Sequence, residues 1–272
     1  MPRPIEWYTP VDPPPELERI LACSWTAEPT GVHRLTPDAC CDLLRIDGGR
    51  FVLCGPEHSS WTFELPPGST AVGVRFRPGL VRPVFGLDVS TITDRRVPLD
   101  EIVEPAVAHR AEATLAAAPD LDTRRRALVD VVASIATVDG EVVAPGRDAE
   151  LILGALAASP RAGQTELAAT LGVSVRTLHR TSCRHFGYGT ATLARVLRFQ
   201  RFLSIVSTAD GPATLAARAA EAGYADQAHL SRDCRSITSL TTQAFLAEYF
   251  PTFPDMADPF KTTTSSAASL RS

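Results

Sequence analysis

Hydrophobic and polar positions change rhythm twice along the 272-residue chain. The first 30 residues are Pro-rich and acidic, with one short helical pattern around Glu16 to Ala22. From Arg34 to Pro78 come four short β-prone runs, "CDLLRID", "RFVLCG", "SWTFEL" and "TAVGVRFRP". They are separated by "DGG", "GPEHS" and "PPGS", which carry turn chemistry. This predicts a compact antiparallel sheet or partial barrel, with one face wet where "TAVGVRF" alternates. From about Leu99 the spacing turns helical. Residues 101–118 and 122–138 read as two helices, with Asp122 placed to cap the second. "DGEVVAPGRD", residues 139–148, has two Gly, one Pro and no helical period, so it reads as a linker.

Beyond it, Asp148 can cap a helix over "AELILGALAAS". Six more helical segments follow, including the long run "TATLARVLRFQRFLSIV". The final 22 residues carry little apolar surface and read as a disordered tail. The predicted fold class is therefore α+β: a β-rich N-terminal domain with C-terminal helices (1–138), a linker (139–147), an all-α domain of about seven helices (148–250) and a tail (251–272).

Two segments of the helical part share one plan. "LGVSVRTLHR" begins at Leu171 and "AGYADQAHLSR" at Ala222. In each, an Ala stands four residues before a Gly: Ala168 and Gly172, then Ala219 and Gly223. Small residues there allow close helix packing, and Gly accepts the left-handed conformation that ends a helix. Ser174 and Asp226 then stand at N-cap positions. Four residues after each cap comes Leu178 or Leu230, turned inward. Positions at cap plus 2, plus 5 and plus 6 face outward. A helix, a tight turn and a second capped helix with basic outward residues describe a helix-turn-helix, whose second helix enters the DNA major groove. The 17-residue run between the copies spans roughly 26 Å as a helix. With its turns it can hold two recognition helices roughly 34 Å apart, one turn of B-DNA.

The repeated pattern G-[YFV]-x-x-x-x-L-x-R across a long linker helix resembles the DNA-binding domain of AraC/XylS-type transcriptional regulators, over about residues 148–249. "FGYGTATLARVLRFQRFLSI" and "AAEAGYADQAHLSRDCR" are similar to one branch of that family. "PPPELERILACSW", "TPDACCDLL", "ELPPGSTAVGVRFRPG" and "ITDRRVPLDEI" are similar to the same branch's functionally uncharacterised N-terminal half. The resemblance implies recognition helices at 174–186 and 226–236. It implies base-facing Arg176, His179 and Arg180 in the first, and Gln227, Ala228, Ser231 and Arg232 in the second. Arg can bridge guanine O6 and N7, Gln can pair with adenine, and Ala228 can touch a thymine methyl. Double-stranded DNA is the expected partner, with a small-molecule effector and a homodimer left open. Three positions depart from the family pattern: Cys234 replaces an aromatic residue, Ser239 a Gly and Thr242 a Pro.

Charge sharpens the division. Residues 1–160 hold 15 Arg against 23 acids, and residues 161–250 hold 10 Arg against 6 acids, within a net charge of −4. An acidic part joined to a basic part suits two domains with different partners. Arg195, Arg198 and Arg201 form a stripe along the linker helix, read either as phosphate contacts or as a solvated face. His229, beside the inward Leu230, reads as structural, as do Cys183 and His185. In the N-terminal part Asp42, Arg75 and Arg77 could line a ligand pocket.

Six scattered cysteines without a C-x-x-C pair read as free thiols in a reducing compartment. Cys54 with His58, or His33 with Cys40, is the weak alternative for a metal. No secretory pattern and no apolar run of about 18 residues is present, so a cytoplasmic location with no membrane partner is expected. No G-x-S-x-G, H-E-x-x-H, Walker or G-x-G-x-x-G motif appears, so neither an enzyme nor a cofactor is expected. The competing reading is a ligand-binding or protein-interaction module without specific DNA binding.

Overall fold

The computed structural model describes residues 7–208 and 214–249; the expected tail lies outside them. In the N-terminal part the strands are β1 Tyr8–Val11, β2 Leu21–Ala27, β3 Val32–Leu35, β4 Cys41–Ile46, β5 Val52–Cys54, β6 Trp61–Glu64, β7 Ala71–Phe76 and, after helix α1 Val81–Phe85, β8 Arg96–Pro98. Six of them form an antiparallel sheet in the order β1-β2-β7-β4-β5-β8, and β3 pairs separately with β6. Helices α2 Pro105–Ala117 and α3 Leu121–Ala136 follow. One sheet face presents Leu43, Leu53, Val74 and Phe76 to a core that takes in Leu115, Leu128 and Val132 of these helices. Arg125 of α3 donates to the fully buried Ser24 hydroxyl at 2.7 Å.

The N-terminal segment departs from expectation. The helical pattern near 16–22 is only a 3-10 turn, Pro15–Leu17, and Leu21–Ala27 is a strand buried along most of its length. A strand covered on both faces loses the period-2 signal that would announce it. β7 is likewise buried throughout rather than wet on one face. Its Gly73 makes room for the Trp25 ring: a Cβ there would lie 2.2 Å from Trp25 Cζ2.

Two expected caps shift. Asp120, not Asp122, caps α3 by accepting from the Thr123 amide at 2.7 Å, while Asp122 pairs with Arg125 and Arg126. Gly146, not Asp148, is the N-cap of α4 Arg147–Ala158. Where the expected helix 122–138 meets the stretch read as a linker, β9 Thr137–Val138 and β10 Glu141–Val142 pair as a hairpin, turning at Asp139 and Gly140 with positive φ.

The helices then run α4, α5 Gln164–Thr170, α6 Val175–Phe186, α7 Thr190–Thr208, α8 Leu215–Glu221, α9 Gln227–Thr238 and α10 Thr242–Tyr249. They build two cores. One joins Ile152, Leu167, Leu178, Phe186 and Leu193, and the other joins Phe202, Ala219, Tyr224, Leu230 and Phe245. α7 contributes to both, so it is the shared wall between the two helical units.

Candidate nucleic-acid interface

The two units are built alike down to their caps. The chain leaves α5 through Gly172 at φ 66° and leaves α8 through Gly223 at φ 99°, both left-handed. The Ser174 hydroxyl accepts from the Thr177 amide at 3.0 Å, and the Asp226 carboxylate accepts from the His229 amide at 2.6 Å. Each cap thereby satisfies an N–H at the start of its helix that would otherwise have no partner. Leu178 and Leu230 are buried at 2% and 0% exposure, which fixes the opposite faces outward.

Arg176, His179 and Arg180 on α6 are exposed, as are Gln227, Ala228 and Arg232 on α9, whereas Ser231 is half-buried. Two of these are not free rods. The His179 ring lies against the turn into α7, since a Cβ at Gly189 would be 2.5 Å from its Cδ2. The Arg232 Nε donates to the Ala228 carbonyl at 3.3 Å, and the Ser231 Oγ accepts from Thr242 at 3.5 Å. The guanidiniums of Arg176 and Arg180 are thus the least committed of the first helix.

The arginine stripe on α7 is not one feature. Arg198 is buried at the joint of the two units: it pairs with Asp233 at 3.0 Å, donates to the Pro160 carbonyl at 3.2 Å and lies 5.0 Å above the Tyr224 ring centroid. His229 Nε2 is 3.3 Å from the same guanidinium, so His229 is structural. Arg195 donates to the Ser236 hydroxyl at 3.2 Å, and Arg201 is exposed. The Arg198–Asp233 pair, which ties α9 to α7, has no sequence signature, because its members lie 35 residues apart on different helices.

The departures from the family pattern are absorbed locally. Ser239 takes the left-handed C-cap of α9 at φ 64°. Cys234 fills the core where the family carries an aromatic ring. Thr241 caps α10 by accepting from the Ala244 amide at 3.1 Å, which leaves Thr242 at the first helical position, where Pro is ordinarily tolerated.

The N-terminal domain grips the C-terminal ends of α6 and α9. Past α6, the Gly187 carbonyl accepts from Thr93 Oγ1 at 3.0 Å and the Tyr188 ring stands 5.3 Å from His58. At the end of α9, the Ser60 amide donates to the Ile237 carbonyl at 2.7 Å, and Arg34 donates to the Thr238 carbonyl at 3.3 Å. Gln200 of α7 donates to the Pro37 carbonyl at 2.7 Å. Arg34 lies on β3 and Ser60 just before its partner strand β6.

The β3–β6 strand pair also walls a cavity of about 360 Å³, whose other side is the six-stranded sheet. Trp7, Tyr8, Trp25, Trp61 and Phe63 supply aromatic walls. On its floor Arg75, 6% exposed, pairs with Asp42 at 3.0 Å and Asp38 at 3.1 Å, while Trp25 Nε1 donates to Asp42 at 2.9 Å. Burial raises the Asp38 carboxyl above the ordinary range. Near the rim Glu57 pairs with Arg96 at 2.5 Å, and burial together with a hydrogen bond to Asp94 pushes its carboxyl up to about 7. Asp42 and Arg75 thus line the pocket expected of them; Arg77 instead donates to the Glu18 carbonyl at 2.7 Å, away from the lining. Trp7, Trp25 and Asp38 lie in stretches whose sequence pattern gave no hint of the pocket.

All six cysteines are free thiols. Among the described residues no group of three or more His, Cys, Asp and Glu could hold a metal ion. His58 pairs with Asp94, and His33 stacks on Trp7 with ring centroids 4.3 Å apart. Among the same residues no helix is long and apolar enough to cross a membrane.

Two capped helix-turn-helix units on a shared helix, joined to a β-rich domain, define a class of DNA-binding regulator. Residues 167–248 match the family model of a helix-turn-helix domain, and residues 9–98 match that of a domain of unknown function, DUF6597. Residues 167–248 are thus an AraC-type helix-turn-helix domain, a kind that serves DNA-binding transcription regulators, joined to that N-terminal domain. No curated protein matches the sequence. Among solved structures, ToxT from Vibrio cholerae O395 is 11% identical with a TM-score of 0.42, covering 82% of this chain and 97% of its own. Unsaturated-fatty-acid-bound wild-type ToxT from Vibrio cholerae strain SCE256 is 11% identical with a TM-score of 0.43, covering 90% and 97%.

Proposed function

We propose that the protein binds double-stranded DNA sequence-specifically, with α6 and α9 entering successive major grooves on one face. In this reading Arg176, His179 and Arg180 face bases from α6, and Gln227, Ala228, Ser231 and Arg232 from α9. The observation that carries it is the repetition of one capped, outward-basic helix on either side of α7, with Arg198 bracing the pair. The cavity in the N-terminal domain receives a small effector, and the β3–β6 strand pair passes its occupancy to the end of α9. The cytoplasm is the proposed site of action.

Selection of binding sites by the purified full-length chain from a random duplex library tests the DNA reading. Two clusters of specified bases, centred about one helical turn apart, are expected. Recovery of sequences without base preference, or of one cluster only, overturns the double-headed reading. In the first case the ligand-binding or interaction module becomes the better account.

A further inference from the structure

The charge around the cavity is unbalanced, and the imbalance bears on what it holds. Three carboxyl groups line it, Asp38, Asp42 and Glu57, against two guanidiniums, Arg75 and Arg96. Both guanidiniums are already engaged: Arg75 with Asp42 and Asp38, Arg96 with Glu57. An anionic ligand would therefore have to displace a carboxylate from a cation it already holds. Such a ligand would also be desolvated beside excess negative charge, which low-dielectric surroundings penalise.

A cation meets the opposite situation. One guanidinium is shared by two acids on the floor, so Asp38 and Asp42 together are short of positive charge. Aromatic faces surround the space, and such faces attract cations through their quadrupoles. The cavity lining already holds such a contact, with the Arg96 guanidinium 4.1 Å from the Trp61 ring centroid. Tyr8, Trp25, Trp7 and Phe63 form a connected aromatic belt, with neighbouring centroids 5.6–5.9 Å apart. Burial raises the Asp38 and Glu57 carboxyls, and a cation bound beside them would offset that desolvation.

We infer that the cavity takes an organic cation, an ammonium or amidinium head on an aromatic or alicyclic body, with the head toward Asp38, Asp42 and Glu57 and the body against the tryptophans. This rests on the reading of the cavity as an effector site and adds the ligand's chemical class.

All three tryptophans of the chain line the cavity, so intrinsic fluorescence reports its occupancy. The full-length protein at pH 8 is titrated with three probes of one shape: benzyltrimethylammonium, its uncharged isostere neopentylbenzene, and phenylmethanesulfonate. Saturable binding of the cation, about tenfold or more tighter than the neutral isostere, is expected, because a desolvated cation–π contact and one carboxylate together suffice for that factor. The sulfonate should show no saturable change. Glu57→Gln should weaken the cation about fivefold and leave the neutral probe within about twofold. Trp7→Leu is the second variant: it should weaken the cation more than the neutral probe, without touching the Arg75 network. Equal binding of the cation and the neutral probe, or preference for the sulfonate, overturns the charge selection while leaving the cavity a binding site. Failure of all three to bind overturns both the cation inference and the effector reading.

Discussion

Arg198→Ala is the sharpest perturbation the structure offers. The side chain is 12% exposed and its partner Asp233 13%, so solvent screens the pair little. Removing the guanidinium leaves the Asp233 carboxylate buried without its cation and empties the space over Tyr224. Breaking a buried pair by deleting one partner costs about 3–5 kcal/mol. His229, 3.7 Å from Asp233, remains as a weak substitute, so about 3 kcal/mol is the expected loss. Urea unfolding at pH 7, followed by midpoint and slope, measures it. Asp233→Asn should cost less, because the polar neighbours remain. Arg198→Met with Asp233→Leu should recover most of the loss, since a packed apolar pair substitutes well for a buried ion pair. The brace reading also predicts a DNA phenotype: affinity for a two-half-site duplex should fall far more than affinity for the first half-site alone. The alternative is that Arg198 contacts phosphate. An unchanged unfolding midpoint, with the log–log salt slope of DNA binding reduced by about one, would establish that and refute the brace.

Other consequences follow from the same geometry. Arg180→Ala should cost about 1–3 kcal/mol of specific binding and relax preference at one base pair, and more than Arg232→Ala, whose Nε is already bound to Ala228; binding-site selection with both variants decides the order. Ser239→Gly should raise the unfolding free energy by about 0.5–1 kcal/mol, because Ser239 sits at φ 64° without the freedom of glycine; a loss on substitution would show that the C-cap is unstrained. The Glu57 carboxyl, raised to about 7 in the fold, is flanked by Arg96, Asp94 and His58. A raised acid stabilises the fold below its unfolded pKa, and that contribution fades as pH climbs from about 4.5 through 7. Glu57→Gln should therefore gain on the parent by about 1–3 kcal/mol between pH 5 and pH 8, read from paired melts; a constant difference would show that Glu57 ionises normally.

The double helix-turn-helix was legible because its determinants are local. A Gly, a capping oxygen and an inward Leu at fixed spacing each report on their own few residues, and all fall where the sequence puts them. Asp122 and Asp148 misled by small shifts, because neighbouring Asp120 and Gly146 could equally begin the helix. Strand β2 was missed because burial on both faces erases alternation, and Leu21–Ala27 adjoins a Pro-Glu-rich segment that mimics a helix start. Asp42 and Arg75 could be suspected of lining a pocket as polar groups on strands. The aromatic belt could not, since Trp7, Trp25 and Trp61 come together only through the pairing of β1 with β2 and the placing of the β3–β6 strand pair over the sheet. Arg198 was visible as part of a helical stripe, but periodicity cannot distinguish an arginine facing water from one facing Asp233 of a later helix.

The contacts between the domains bear on how an effector could act. Thr93 and His58 meet the chain just after α6, and Ser60 and Arg34 meet the last turn of α9. All four touch the C-terminal ends of the recognition helices. Arg176, Gln227 and Ala228 lie in the first turns and remain exposed with the N-terminal domain docked. Docking therefore does not work by covering these residues. It constrains instead the angle and separation of α6 and α9. On the proposed double-headed reading, misplacing one head by a fraction of a groove forfeits its base contacts while the other still binds, so the constraint acts on specificity before affinity. Arg34 and Ser60 lie on or beside the β3–β6 strand pair that walls the aromatic cavity, so a ligand that moves that pair changes the setting of α9 directly. α6 is held around Thr93 and His58, beside Asp94, which also bonds the cavity-lining Glu57. On the proposed reading, an effector in the cavity would thus have a route to each of the two heads.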